Sequence, residues 1–171
     1  SSVTLKPPFN QAATEDEAPE DPDELPAAVD QRQMSLFGAA WTTASLRSLA
    51  FGGVGSITYY QTTGWLGLME TNTGSRLPSK FRSFPGMVYP LYYIFEFLER
   101  AKDAALFQIE LDQPLLLDGL AYRTNNHLGL ILANLQPVDK DVNLSSLPEG
   151  KAQVRRLNED TFELAASNPS R

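Results

Sequence analysis

Tyr59-Tyr60-Gln61-Thr62-Thr63-Gly64-Trp65 concentrates phenols, a carboxamide, hydroxyls and an indole in one short stretch. Aromatic faces accept the C–H side of a sugar ring, while hydroxyls and amides take its polar edge. Tyr60, Thr62 and Trp65 are therefore candidate substrate contacts, with Trp65 the better placed, because a strand alternates sides and only one of Tyr59 and Tyr60 can face inward. Gln61 can orient a substrate or hydrogen-bond an oxyanion, but it cannot act as a general base. Glu70 is the nearest acid. With Gln61 it makes the catalytic candidate pair, and its competing reading is a solvated loop carboxylate. Lys6 and Asn10 form a second small group, a cation and an amide able to hold a carboxylate such as that of an aldonic acid; a surface lysine is the plainer alternative.

These groups need elements to hold them at one rim. Val3-Thr4-Leu5 reads as the end of a strand stopped by Pro7-Pro8. A polar loop follows to Val29, and Asp30 offers a helix cap. From Gln31 to Phe51 the residues Phe37, Ala40, Trp41, Ala44 and Ser48 share one helical stripe, with Leu36, Ala39, Leu46, Leu49 and Ala50 widening it. Gly52-Gly53 closes that helix through a left-handed turn, and Ser56 to Tyr60 resumes as a strand. Such an order is one step of a parallel α/β sheet, in which ligands lie at the carboxyl ends of strands, hence at Tyr59 to Trp65.

A loop rich in glycine, proline, serine and asparagine spans Thr71 to Pro85, and helical spacing returns from Tyr89 to Lys102. Six strands are expected beyond it: Ala105–Leu111, Leu115–Arg123, His127–Asn134, Asp141–Leu144, Ala152–Leu157 and Thr161–Ala165. Asn125-Asn126 suits a tight hairpin, since asparagine tolerates positive φ. The expected architecture is α/β plus β: C-terminal strands and helices of a (β/α)8 barrel over residues 1–102, including an acidic loop at 11–29, then a small antiparallel β-sandwich over 103–171. Two strands cannot close a barrel, so a second polypeptide or a preceding segment is expected to complete it.

Composition narrows the function classes. The 171 residues are 42% apolar and 10% aromatic, enough for a core, and the net charge is −7. Glu15, Asp16, Glu17, Glu20, Asp21, Asp23 and Glu24 crowd into one run, read as a solvated loop. The rest lacks the basic stripe that a nucleic-acid backbone requires, and no segment has the apolar length of a membrane span. Zero cysteines exclude disulfides and thiolate chemistry and fit a reducing compartment, with cytoplasm the expected location. His127, the lone histidine, sits far along the chain from the rim and is read as structural or exposed; no metal site and no cofactor are expected. Gly52-Gly53-Val54-Gly55 precedes a strand, where a dinucleotide-binding loop would precede a helix.

Three stretches, Val3-Thr4-Leu5-Lys6-Pro7-Pro8-Phe9-Asn10, Gln33-Met34-Ser35-Leu36-Phe37-Gly38-Ala39-Ala40-Trp41 and Ile57 to Gly67, resemble the closing part of the D-apionate lactonase family. Leu130-Ile131-Leu132-Ala133-Asn134-Leu135-Gln136-Pro137 resembles a sandwich strand shared by many sugar enzymes. The resemblance implies a glycoside-hydrolase-like barrel with an appended β-sandwich, and hydrolysis of a sugar-acid lactone. Where the family pattern has glutamate after the tyrosine pair, this chain has Gln61. Two other functions stay open beside lactone opening: a glycoside hydrolase, which needs two flanking carboxyl groups, and a non-catalytic carbohydrate-binding or structural fragment. The expected ligand in each case is a sugar acid or another carbohydrate.

Overall fold

The structure, a computed structural model, describes residues 3–6, 21–145 and 147–168. The acidic run up to residue 20 and Asn10 lie outside the described residues, and Asp21 to Glu24 are exposed.

The first helical region starts twice. Asp30 caps a 3-10 turn over Gln31–Met34 by accepting from the Arg32 amide at 2.9 Å. Ser35 then returns to extended backbone and caps helix α1, Leu36–Phe51, by accepting from the Gly38 amide at 3.1 Å. The single helix expected from Gln31 is thus broken at Ser35. A side chain at position 38 would fall 2.5 Å from the Arg32 carbonyl oxygen, so the turn folds onto the helix only over a glycine. Thr42 and Thr43, fully buried, return their hydroxyls to the Gly38 and Ala39 carbonyls at 2.7 and 3.1 Å, which removes the cost of burying them. Gly53, at φ 78°, takes the left-handed conformation that ends the helix.

Ser56 to Tyr60 departs from the expected strand. Among the described residues its one backbone bond to another segment runs from the Val3 amide to the Thr58 carbonyl, 2.8 Å, and no ladder forms. The ladder starts later: β1, Gln61–Thr63, pairs parallel with β2, Gly67–Met69, across a turn in which Gly64 has φ 84°. Helix α2 occupies Tyr92–Arg100, beginning after Pro90, and leaves Tyr89 in the core.

Three strands follow, β3 (Ala105–Gln108), β4 (Leu117–Arg123) and β5 (Leu128–Asn134), in one antiparallel sheet of that order. The hairpin at Asn125-Asn126 forms, with Arg123 opposite Leu128 and the Thr124 amide donating to the His127 carbonyl at 2.9 Å, but neither asparagine takes the positive φ expected of it. Asp141–Leu144 and Ala152–Leu157 carry no strand, because no partner ladder reaches them among the described residues. Thr161–Ala165 is helical, inside α3, Glu159–Ser167. Asn158 and Thr161 form a reciprocal capping box there, Glu159 and Asp160 favour the first turn, and Ala166 is buried, so local capping overrides the short apolar alternation. The described residues contain one two-stranded and one three-stranded sheet and no closed barrel.

A single core cluster gathers Ala39 and Leu46 of α1 with Tyr59, Phe81, Met87, Tyr89, Leu91 and Ile94, and with Leu120 of β4 and Ala166 of α3. The Val88 amide donates to the Ala166 carbonyl at 2.9 Å, fixing α3 against the segment ahead of α2. Among the described residues no helix is long and apolar enough to cross a membrane.

Candidate functional site

The two tyrosines ahead of β1 point the same way. Tyr59 and Tyr60 each share a hydrogen bond with α1, to Ser45 Oγ and Thr42 Oγ1 respectively, both 2.8 Å. The expectation that only one ring faces inward is corrected, since without a pleated strand at this point strict alternation does not apply. Their rings lie 5.5 Å apart, and Tyr60 meets Phe95 of α2 edge-on at 6.1 Å. Burial pushes the Tyr60 phenol up to about 12, although its bond to Thr42 opposes the shift. The structure therefore places Tyr60 in the packing between α1 and α2, a short step before the rim.

Gln61 and Thr62 of β1 are exposed, and neither side chain makes a hydrogen bond among the described residues. The Gln61 amide is thus presented outward while its backbone N–H is held by the Leu66 carbonyl at 2.9 Å. Past the Gly64 turn, half-buried Trp65 donates its indole N–H to Ser75 Oγ at 3.0 Å. The Arg76 guanidinium lies over the indole ring, 5.2 Å from its centroid, and Phe81 packs beside it at 6.1 Å. Arg76 escaped the sequence reading. Its signal was a basic loop, with Arg76, Lys80 and Arg82 following the aromatic rim closely, but nothing in the spacing indicated which cation would reach Trp65.

Glu70 follows β2 directly and is 3% exposed. The alternative of a solvated loop carboxylate is overturned, because three donors close around it: the Thr71 amide at 2.8 Å, the Tyr89 hydroxyl at 3.0 Å and the Ser83 hydroxyl. Burial first, and then the neighbouring Glu70 charge, drive the Tyr89 phenol well above its ordinary value. Ser83 and Tyr89 were likewise missed, since no periodicity connects positions 70, 83 and 89.

Lys6 is half-buried and its carbonyl accepts from Thr4 Oγ1 at 2.7 Å. Its positive charge adds to the hydrogen bond from Arg32, the larger effect, in holding the Asp30 carboxyl below the usual range. The cation that was to meet a substrate carboxylate therefore already feels an acid of its own chain. His127 is exposed on the β4–β5 hairpin, and no group of three or more His, Asp or Glu suited to a metal occurs among the described residues.

The arrangement places an exposed carboxamide, an exposed hydroxyl and a half-buried, cation-capped indole on adjoining turns. Residues 1–103, more than half of the chain, match the family model described as D-apionate lactonase, TIM barrel domain. No curated protein and no solved structure matches the chain. The matched stretch holds α1, β1, β2 and α2, ends just before β3 and contains the whole Gln61–Trp65 rim. By this match over residues 1–103 the chain belongs to the D-apionate lactonase family through its TIM barrel domain.

Proposed function

We propose that this chain forms the closing part of a hydrolase barrel that opens a sugar-acid lactone, with residues 1–102 bearing the rim and 103–171 an appended β unit. The observation that carries the reading is Trp65 under the Arg76 guanidinium, beside the outward amide of Gln61, in a chain of the lactonase family. A lactone is a flat cyclic ester that becomes an acid on opening. Trp65 takes the ring face, and Thr62 hydrogen-bonds a ring hydroxyl. Gln61 donates to the carbonyl oxygen as charge develops on it, and Arg76 draws the carboxylate product. Lys6 and Asn10 are proposed to approach from the N-terminal segment, in which residues 3–6 carry no strand, contrary to the strand expected at Val3-Thr4-Leu5. The base that activates water is supplied by the remainder of the barrel, in a preceding segment or a second polypeptide, and no cofactor is required. The absence of cysteine favours a reducing compartment such as the cytoplasm.

A second reading has its own support. Gln61 stands where a proton acceptor would be needed, and an amide there binds without catalysing. On that reading the chain recognises sugar acids and does not turn them over. The deciding experiment follows acid release from the lactone of D-apionate by the protein with its barrel completed, beside aryl glycosides as controls. Lactone opening without glycoside cleavage supports the hydrolase reading. Glycoside cleavage, or sugar-acid binding without turnover, defeats it.

A further inference from the structure

Glu70 is surrounded entirely by the chain, and its three partners come from different parts of one long loop. The Thr71 amide opens that loop, Ser83 lies within it and Tyr89 closes it, and each donates to the same carboxylate. The main chain repeats the closure, because the Glu70 amide donates to the Met87 carbonyl at 2.7 Å and the Gly86 amide to the Thr71 carbonyl at 2.9 Å. Within the loop lie Ser75, Arg76 and Phe81, which hold the indole N–H, one face and one flank of Trp65. Phe81 is fully buried and its ring lies 5.9 Å from that of Tyr89, so packed contacts run from Glu70 through Tyr89 and Phe81 to Trp65 without a gap.

We infer that Glu70 is a positioning residue, which locks the loop so that Arg76 and Ser75 hold the Trp65 ledge in a single orientation, and that it touches no substrate. The inference rests on the ledge being the sugar-contacting surface proposed above. Burial argues against a reacting role: Glu70, Ser83 and Tyr89 are 3%, 8% and 0% exposed, and a general base must reach within about 3 Å of the proton it takes. The donor pattern argues for the carboxylate itself. An ionised carboxyl group accepts at both oxygens and donates nothing, whereas glutamine of the same shape turns an N–H₂ toward hydroxyls or an amide that already donate. Buried networks left partly satisfied lose their geometry.

The test is Glu70→Gln in the full chain, read by the two indole N–H resonances of Trp41 and Trp65, with Trp65→Phe supplying the assignment. The expected result is a displaced Trp65 resonance whose solvent exchange quickens by about tenfold or more as its bond to Ser75 loosens, while the Trp41 resonance stays in place as the sign of an intact fold. Should Glu70→Gln fail to fold, Ser83→Ala removes one donor and is expected to move the same resonance in the same direction. An unchanged Trp65 resonance in a folded variant overturns the inference. In the completed enzyme, Glu70→Gln is expected to raise KM for the lactone about tenfold with kcat within about threefold, whereas loss of a reacting acid or base lowers kcat by about 10²-fold or more. A kcat collapse with the indole unmoved overturns the inference. Lack of lactone turnover in the unaltered protein counts against the proposed function alone, because the indole measurement needs no turnover.

Discussion

Arg47 Nε lies 3.4 Å from Asp118 Oδ1, an ion pair that ties helix α1 to the central strand of the antiparallel sheet. The Asp118 side chain is 6% exposed and that of Arg47 20%, so the pair is largely withdrawn from water. Asp118 is also held by the Gly119 amide at 2.7 Å, whereas the buried Arg47 Nε makes no hydrogen bond among the described residues. Removing the arginine strands a buried carboxylate. Arg47→Met is expected to lower unfolding free energy by about 2–4 kcal/mol, and the double variant Arg47→Met/Asp118→Leu to recover at least about half of that. Urea melts of the four proteins in the cycle decide it; a loss under about 0.5 kcal/mol for Arg47→Met would show that the pair adds nothing.

Alkaline pH acts on the tyrosines packed in and around the core. Burial raises Tyr60 to about 12 and also raises Tyr59, Tyr89 and Tyr93 above the unfolded value of 10.0. A raised folded pKa means that the native state binds the proton more tightly, so the stability gained is fully present below pH 10 and is lost as pH climbs toward 12. Phenolate absorbance near 295 nm should therefore show a delayed fraction that ionises together with loss of helix signal by circular dichroism. Smooth ionisation of every tyrosine near pH 10, with the fold intact, would contradict the burial of these rings.

Two glycines in the sheet give opposite tests of how far a neighbour can yield. Gly129 sits opposite Tyr122, whose ring covers it: a Cβ there would fall 2.1 Å from Tyr122 Cε1. Tyr122 in turn packs on Phe97 at 5.1 Å, so Gly129→Ala pushes a side chain off α2 at an expected cost of about 1–3 kcal/mol. At Gly119 the added atom would lie 2.3 Å from the Ile131 carbonyl oxygen, within the β4–β5 ladder. Gly119→Ala is expected to cost more than Gly129→Ala, because backbone has to open where a ring can swing. Thermal melts of the two variants side by side give the order, and a reversed order would refute this account of the sheet.

Much of this was legible in the chain where the signal was local. Helix α1 announced its end at Gly52-Gly53, where Gly53 takes the left-handed turn, whereas the Asn125-Asn126 hairpin was placed for a reason its backbone does not use, since neither asparagine has positive φ. Strands were legible only where a partner exists: β3, β4 and β5 pair with one another, while Asp141–Leu144 and Ala152–Leu157 have equal alternation and no ladder. Thr161–Ala165 was misread because the capping box at Asn158 and Thr161 outweighs a five-residue pattern. At the site, Gln61, Thr62 and Trp65 stood out as residue types. Arg76, Ser83 and Tyr89 did not, since the first reaches Trp65, and the others Glu70, only after a loop folds back.

Gln61 gives the sharpest test of whether the rim retains the geometry of a catalyst. Its side chain is exposed and free of hydrogen bonds among the described residues, so a carboxylate of the same length fits without repacking. Gln61→Glu introduces the acid that the resemblance to the family leads one to expect at this position, while Trp65, Ser75 and Arg76 remain as they are. If the missing acid is what limits turnover, Gln61→Glu in the completed barrel is expected to raise kcat for lactone opening by about 10²-fold, the contribution typical of a positioned acid or base, with KM nearly unchanged. The rise should follow a single ionisation in the pH–rate profile that the Gln61 protein lacks. A gain in kcat without that ionisation would mean that the new carboxylate acts by charge alone. A fall in kcat instead, as a carboxylate replaces the N–H donor beside the developing oxyanion, would place the water-activating group elsewhere on the barrel and keep Gln61 as the donor proposed above.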